Sequence, residues 1–136
     1  YTVPTECGWE EVVTVGQFGE LIAKFDTGNY KYPVLHAENI EANGKKITFT
    51  NGDKTITTKL LGTYTSVTGG GEDERYVVEL DFEFSGTVFD KVEFGLDDRD
   101  RMGTDVLLNR DMMRRLNVMV NPQRKNVITT KYVLDK

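Results

Sequence analysis

Residues Tyr76 to Phe84 read Tyr-Val-Val-Glu-Leu-Asp-Phe-Glu-Phe. From Val78 onward every second residue is apolar and those between are acidic. An extended strand with one face on a core satisfies that pattern, because its side chains alternate sides; a helix would spread it around its surface. The same texture recurs along the chain. Trp9 to Val15 reads as a first strand with Val13 and Val15 on one face, and Glu20 to Phe25 as a second, central one. Gln17 to Gly19 makes the turn between them. Pro33 to Ile40 is extended. Lys45 to Thr50 and Lys54 to Leu61 alternate around Asn51-Gly52, a strong short-range hairpin signal. Thr68 to Asp73, with three glycines in a row, is an exposed tip. Val88 to Leu96 follows the Ser85-Gly86 turn, and Val127 to Val133 is a last extended piece. Asn109 to Leu116 alone has helical spacing, with Met112, Met113 and Leu116 on one side and Asn109 as N-cap. Pro122 ends the strand that follows. The sum predicts a mainly β chain, a barrel or sandwich of roughly eight strands with one short helix, as one domain over residues 1–136.

Composition narrows the partners. The 136 residues carry a net charge of −5, and no basic run exceeds two or three residues. A nucleic-acid backbone is therefore not an expected partner, and Arg114-Arg115 and Arg124-Lys125 read as solvated surface. No apolar run is long enough to span a membrane. Cys7 and His36 are each the sole residue of their type. One Cys excludes an intrachain disulfide and fits a reducing, cytoplasmic setting. One Cys and one His cannot make the usual zinc site, so neither metal nor other cofactor is expected. Ser-His-Asp catalysis is excluded if His36 is committed elsewhere. No basic-apolar-small leader opens the chain, and its first residue is Tyr1 rather than Met, the expectation for a processed chain or for a segment beginning at an ordered boundary.

Chemistry concentrates at Asp26-Thr27-Gly28, directly after the apolar strand Glu-Leu-Ile-Ala-Lys-Phe. An Asp at a strand end followed by Gly can be held in a tight loop whose backbone donors steer the carboxylate, with the Thr hydroxyl as a brace. If two such loops meet across a two-fold axis, the carboxylates share a proton, because two like charges about 3 Å apart cannot both ionise. One carboxylate then activates water and the other protonates the carbonyl. One chain supplies one Asp26, so this chemistry needs a homodimer. On its own the tripeptide is also what an Asx turn ending a strand looks like.

A second stretch adds to it. Val106-Leu107-Leu108-Asn109-Arg110-Asp111-Met112-Met113 is an apolar strand running into a short amphipathic helix. It resembles the second signature of retropepsin-like aspartyl proteases, with a flap-like hairpin at Lys45 to Leu61 between the two signatures. The likeness extends to one branch, the family labelled ATP-dependent zinc proteases, through Gly8-Trp9-Glu10-Glu11-Val12-Val13, Ala23-Lys24-Phe25-Asp26-Thr27-Gly28, Leu35-His36-Ala37, Asp98-Arg99, Met102, Val106-Leu107-Leu108, Arg110 and Val118-Met119-Val120-Asn121-Pro122. The resemblance covers nearly the whole chain in order. It implies a retropepsin-like barrel, an aspartyl site at Asp26, Thr27 and Gly28, and peptide or isopeptide-like substrates. Some members of that family sit beside enzymes that add amino acids to protein tails. The zinc of the label finds no ligand cluster here.

Three departures fall on the floor of that site. Asn29 stands where the family has Ala, Tyr30-Lys31-Tyr32-Pro33 replaces an Arg-Thr-Ser run, and Asn109 replaces the Gly of the second signature, as the residue best suited to unusual backbone angles. They motivate a second expectation, a non-catalytic structural or interaction module on the same fold, such as a phage virion component within a larger assembly. Arg110 is expected to pair with a carboxylate near the loop or at a dimer contact. His36 reads as a strand residue more than a catalytic one. Asp97, Asp98, Asp100 and Asp105, interleaved with Arg99 and Arg101, read as local ion pairing rather than a calcium loop. Met112, Met113 and Met119 read as core.

Overall fold

The computed structural model describes residues 2–99 and 103–129. The alternating run at Tyr76 to Phe84 forms the second half of β9 (Gly71–Phe84), whose Val78, Leu80, Phe82 and Phe84 are all buried. Ser85 and Gly86, at φ 50° and 83°, form a two-residue loop of the hand that matches strand twist. It returns the chain into β10 (Thr87–Asp97), which pairs antiparallel with β9 past a bulge between Phe89 and Val92.

The two apolar segments near the N-terminus form a hairpin, β2 (Glu10–Val15) and β3 (Gly19–Phe25), joined by a 3-10 turn at Gly16–Phe18. β4 (Val34–His36) and β11 (Val106–Leu108) complete the sheet. β11 inserts between its two neighbours, parallel to β3 and antiparallel to β4. β4 runs parallel to β10 and β2 pairs with β9, so the ladder β10-β4-β11-β3-β2-β9 returns to β10 through the β9–β10 pair. β8 (Gly62–Thr68) extends it beyond β9. Strands buried on both faces need continuous apolar runs: Val34 and Leu35 of β4 and Val106 and Leu108 of β11 are 2% exposed or less. Phe25 meets Phe84 edge-on at 5.3 Å inside this ring of strands.

A three-stranded sheet, β5 (Glu38–Asn43), β6 (Lys46–Asn51) and β7 (Lys54–Lys59), stands beside it. The hairpin signal marks its turn, displaced by one residue. Asn51 pairs with Lys54, leaving Gly52-Asp53 as the loop, with Gly52 at φ 64°. Asn51 is drawn into the strand because its buried amide donates to the His36 carbonyl at 2.9 Å. The remaining strands, β1 (Thr5–Gly8) and β12 (Val118–Asn121), pair in parallel across the length of the chain. β1 lacks an apolar alternation, which is why the sequence shows no strand there. With twelve strands and one helix, α1 (Arg110–Leu116), among the described residues, the chain is mainly β as expected. Met112 and Met113 are buried in the core, but Met119, on the alternate face of β12, is 57% exposed.

The expected last strand is not one over Val127 to Thr129, and residues 130–133 lie outside the described residues. A side chain takes the place of a partner strand. Glu11, fully buried, accepts backbone N–H bonds from Gly8 at 2.6 Å, Val127 at 2.9 Å, Ile128 at 3.2 Å and Thr129 at 3.0 Å, and the Thr129 hydroxyl at 2.7 Å. Gly8 must be Gly: a Cβ there would lie 2.7 Å from the Arg124 carbonyl oxygen. Beside Glu11, burial first and then the Glu11 and Glu6 charges push the Cys7 thiol up to about 12, so it stays protonated and unreactive at physiological pH.

Removing this carboxylate strands several buried donors, each costing about 1–3 kcal/mol. Glu11→Ala is expected to lower unfolding stability by roughly 3 kcal/mol or more, read as a fall in urea midpoint. An unchanged midpoint would show that water replaces the carboxylate.

Candidate active site

Asp26 is the first residue past β3, where the apolar register stops. Its backbone N–H donates to the Leu108 carbonyl of β11 at 3.3 Å, while Phe25 N–H just before it donates to the Trp9 carbonyl at 2.8 Å, so the strand end is held from both sides. The chain then turns tightly. Gly28 N–H donates to Asp26 Oδ1 at 2.9 Å, and Asn29 N–H to the Asp26 carbonyl at 3.1 Å. A Cβ on Gly28 would sit 3.2 Å from Asp26 Oδ1, so a larger residue would crowd the carboxylate. Asp26 is half-buried, and Thr27 and Gly28 are exposed.

The residues of the second signature brace this loop. Arg110 N–H donates to the Asn29 carbonyl at 2.8 Å and Arg110 Nε to the Thr27 carbonyl at 2.6 Å. Arg110 therefore reaches the loop as expected, but its partner there is a backbone carbonyl and not a carboxylate. Asn109 caps α1, its Oδ1 accepting from Met112 N–H at 3.0 Å, while its Nδ2 donates to the Lys31 carbonyl at 2.5 Å. Its φ of −104° is ordinary. Asn109 stands there for its two-ended side chain, and the expectation of an unusual backbone angle is corrected. Asn29 works similarly, donating to the Tyr32 carbonyl at 2.9 Å and accepting from Lys31 N–H at 3.2 Å. The two Asn departures are thus built into the loop.

Asp26 faces a cleft of about 330 Å³. Its far wall is β8, through Tyr64, Ser66 and Val67, and not the hairpin at Lys45 to Leu61, none of whose residues line it. Sequence order alone could not separate these two hairpins. Lys31 Nζ ties the loop to β8 by donating to the Thr65 carbonyl at 2.7 Å. Tyr32 and Tyr64 pack at 4.6 Å, and Tyr64 lies close against Gly95, where any Cβ would clash with its ring. Tyr30 and Val67, at the mouth, are 73% and 67% exposed.

The cleft is cationic although the chain is acidic. Lys31, Arg75 and Arg99 line it alongside Asp26 and Asp97. Arg75 Nη2 pairs with Asp97 Oδ2 at 3.0 Å, and its buried Nε has no acceptor among the described residues. Arg99 is 9% exposed and has no salt bridge among them; Nε and Nη2 donate to the Thr104 carbonyl and hydroxyl at 3.1 and 3.0 Å. Burial lowers the Arg99 pKa; Asp97 raises it, Arg75 lowers it further, and Asp26 and Asp105 raise it. Of the local ion pairing expected in this acidic stretch, Asp97 pairs with Arg75 rather than Arg99, and Asp100, Arg101 and Met102 lie outside the described residues.

His36 ends β4, in keeping with its reading as a strand residue; what the sequence did not show is the bond its ring makes. Its buried ring accepts Arg99 N–H at Nδ1, at 2.7 Å. His36, Glu38 and Asp98 offer donor atoms within 4.8 Å of one another. The ring's lone pair is already used by Arg99, however, which leaves the proton on Nε2. The same bond commits His36 away from serine-type chemistry.

A family model described as the RimB-like retropepsin-like aspartic endopeptidase RimB matches residues 7–131. A crystal structure of a Legionella pneumophila protein of unknown function (DUF785) is similar at a TM-score of 0.75 and 27% identity, over 90% of this chain and 97% of that one. No curated protein matches.

Cutting the Arg110 brace should loosen the loop. In Arg110→Ala, hydrogen exchange at the Gly28 and Asn29 amides is expected to rise about tenfold, the equivalent of about 1.4 kcal/mol for a charge-assisted bond. Unchanged exchange would mean that the backbone bonds from β11 and residue 110 hold the loop without the guanidinium.

Proposed function

Because the chain belongs to the RimB-like family of retropepsin-like aspartic endopeptidases, we propose that it hydrolyses peptide bonds with two Asp26 carboxylates, one from each of two copies. The observation that carries this reading is the Asp26 loop. A half-buried carboxylate that accepts the Gly28 N–H lines a walled cleft, and the backbone of its loop is held by β11 and Arg110. Among the described residues the other acid lining that cleft, Asp97, is already paired with Arg75 at 3.0 Å. On this reading the second carboxylate of the pair is supplied by another copy.

In that dimer the two acids hold one proton between them, since both cannot ionise at contact distance. The ionised one takes a proton from a water lying between them, and the protonated one gives its proton to the scissile carbonyl oxygen as the water oxygen attacks. The first carboxylate, now protonated, gives that proton to the leaving nitrogen as the C–N bond breaks, and a hydroxyl of the tetrahedral species returns its proton to the second, so the pair again holds one proton. No step requires a metal, and neither does it require His36 or Cys7.

The cleft's charges favour peptides with acidic side chains. Among the described residues Arg99 lacks a carboxylate partner and the Arg75 Nε lacks an acceptor, while Lys31 lines the same cleft. A buried cation is stable where a counter-charge arrives with the ligand.

Asp26→Asn is expected to reduce cleavage of acidic fluorogenic peptides by about 10²–10⁴-fold with the fold intact. The wild-type rate should follow a bell-shaped pH profile on the acid side of neutrality, as a shared proton demands. If the wild-type dimer cleaves no faster than Asp26→Asn, the fold serves here as a non-catalytic module.

A further inference from the structure

His36 occupies a junction between three parts of the fold. It ends β4, where its N–H donates to the Asp105 carbonyl at 2.7 Å and its carbonyl accepts the Asn51 amide at 2.9 Å. The next residue, Ala37, donates to the Asp97 carbonyl at 2.9 Å. None of these bonds needs an imidazole. The ring's own bond is different in kind: Nδ1 accepts Arg99 N–H at 2.7 Å, just where the chain leaves β10. Arg99 lines two spaces at once. One is the Asp26 cleft, and the other is a cavity of about 210 Å³ bounded by His36, Gly103, Thr104 and Asp105. The backbone that His36 fixes is thus the one from which the guanidinium reaches the cleft.

This bond exists only for a ring with a lone pair on Nδ1. A proton added there would point at the Arg99 N–H, and two donors cannot share that line. Among the described residues the charged groups around the ring come from each packed element. Glu38 of β5 lies with Oε1 3.8 Å from Nε2, and Asp98 after β10 lies with Oδ1 3.6 Å from Nδ1. Asp97 is the register partner of His36 on β10, and Asp105 precedes β11. Arg99 itself is the cation on the far side. After protonation Nδ1 is drawn toward the Asp98 carboxylate, 3.6 Å away, and turning to it abandons the Arg99 backbone.

We infer that His36 is a positioning residue for the cleft: neutral, it fixes Arg99 where the guanidinium meets an acidic substrate, and protonated, it lets that arginine go. The inference rests on reading the cleft as a site for acidic peptides. Protonation of the ring therefore weakens the cleft's hold on substrate as the medium turns acid.

The test measures binding, so it needs no turnover. A fluorescent Glu-containing peptide is titrated by anisotropy into Asp26→Asn and into its double variants with His36→Asn and His36→Ala, from about pH 5.5 to 8, where the peptide carboxylates stay largely ionised. Asn places Oδ1 where Nδ1 stood and does not titrate. At pH 8, His36→Asn should match the parent and His36→Ala should bind about tenfold more weakly. Toward pH 5.5 the parent should weaken by about tenfold while His36→Asn stays level. Thermal melts establish that each variant is folded. A His36→Asn curve that falls with pH as the parent's does would overturn the inference, as would parental affinity in His36→Ala at pH 8. So would the absence of binding at any pH. Failure of the peptidase reading shows separately, as a wild-type protein that binds the peptide and does not cut it.

Discussion

The parallel pairing of β11 with β3 is the constraint on which the rest of the site depends. Antiparallel neighbours can be joined by a short turn, but a parallel pair needs a long crossover. Here the interposed chain is long, since Thr27 and Arg110 stand 83 residues apart. When β11 slides between β3 and β4, Leu108 takes the Asp26 N–H, and the chain leaving β11 must start α1 right beside the loop. Asn109 and Arg110 are delivered there by topology, one capping the helix and reaching Lys31, the other holding Thr27 and Asn29. The Asp26 loop is mostly exposed, and few apolar contacts fix it. Its order comes from polar bonds to a strand whose position the core dictates.

That division explains what could be read in advance. The strands whose alternation carries burial, such as Val78 to Phe84, were legible because one face of each must be apolar. So were Asn109 as an N-cap and Asp26 as a strand-end carboxylate, since both follow from neighbours within a few residues. What escaped depends on distant pairing. The apolar content of β1 is low, and β1 exists because β12 lies alongside it. Glu11 sits at an inward position of β2 that the pattern reserves for apolar residues; its partners come from residues 127–129. The wall of the cleft is β8 rather than β6 and β7, a matter of which hairpin the sheet carries over Asp26. Asn29 and Asn109 looked like damage to a site when judged by residue type. Their hydrogen bonds make them parts of the loop's scaffold.

The charges tell a related story. An acidic chain keeps three cations around one aspartate, two of them arginines withdrawn from bulk water. Arg75 is balanced by Asp97, but among the described residues the Arg99 guanidinium bonds only the neutral oxygens of Thr104. Burying a cation in that way costs stability unless something anionic joins it, and sites that bind ligands commonly carry such local costs. His36 adds a bond to the Arg99 backbone that a neutral ring makes and a ring protonated at Nδ1 cannot. The long-range field of the protein would repel acidic peptides, while the cleft itself attracts them, so recognition operates at short range, within a Debye length of roughly 8–10 Å.

The central claim is that Asp26 acts in pairs. The most direct measurement is the distance between Asp26 carboxylates in a crystal structure of the protein in the assembly it forms in solution. The account predicts two carboxylates from different copies within hydrogen-bond reach, about 3 Å, with the two β8 strands closing over them. Asp26 side chains isolated from one another, or a cleft filled by another part of the assembly, would contradict it and would leave the loop as a piece of architecture without a proton to share.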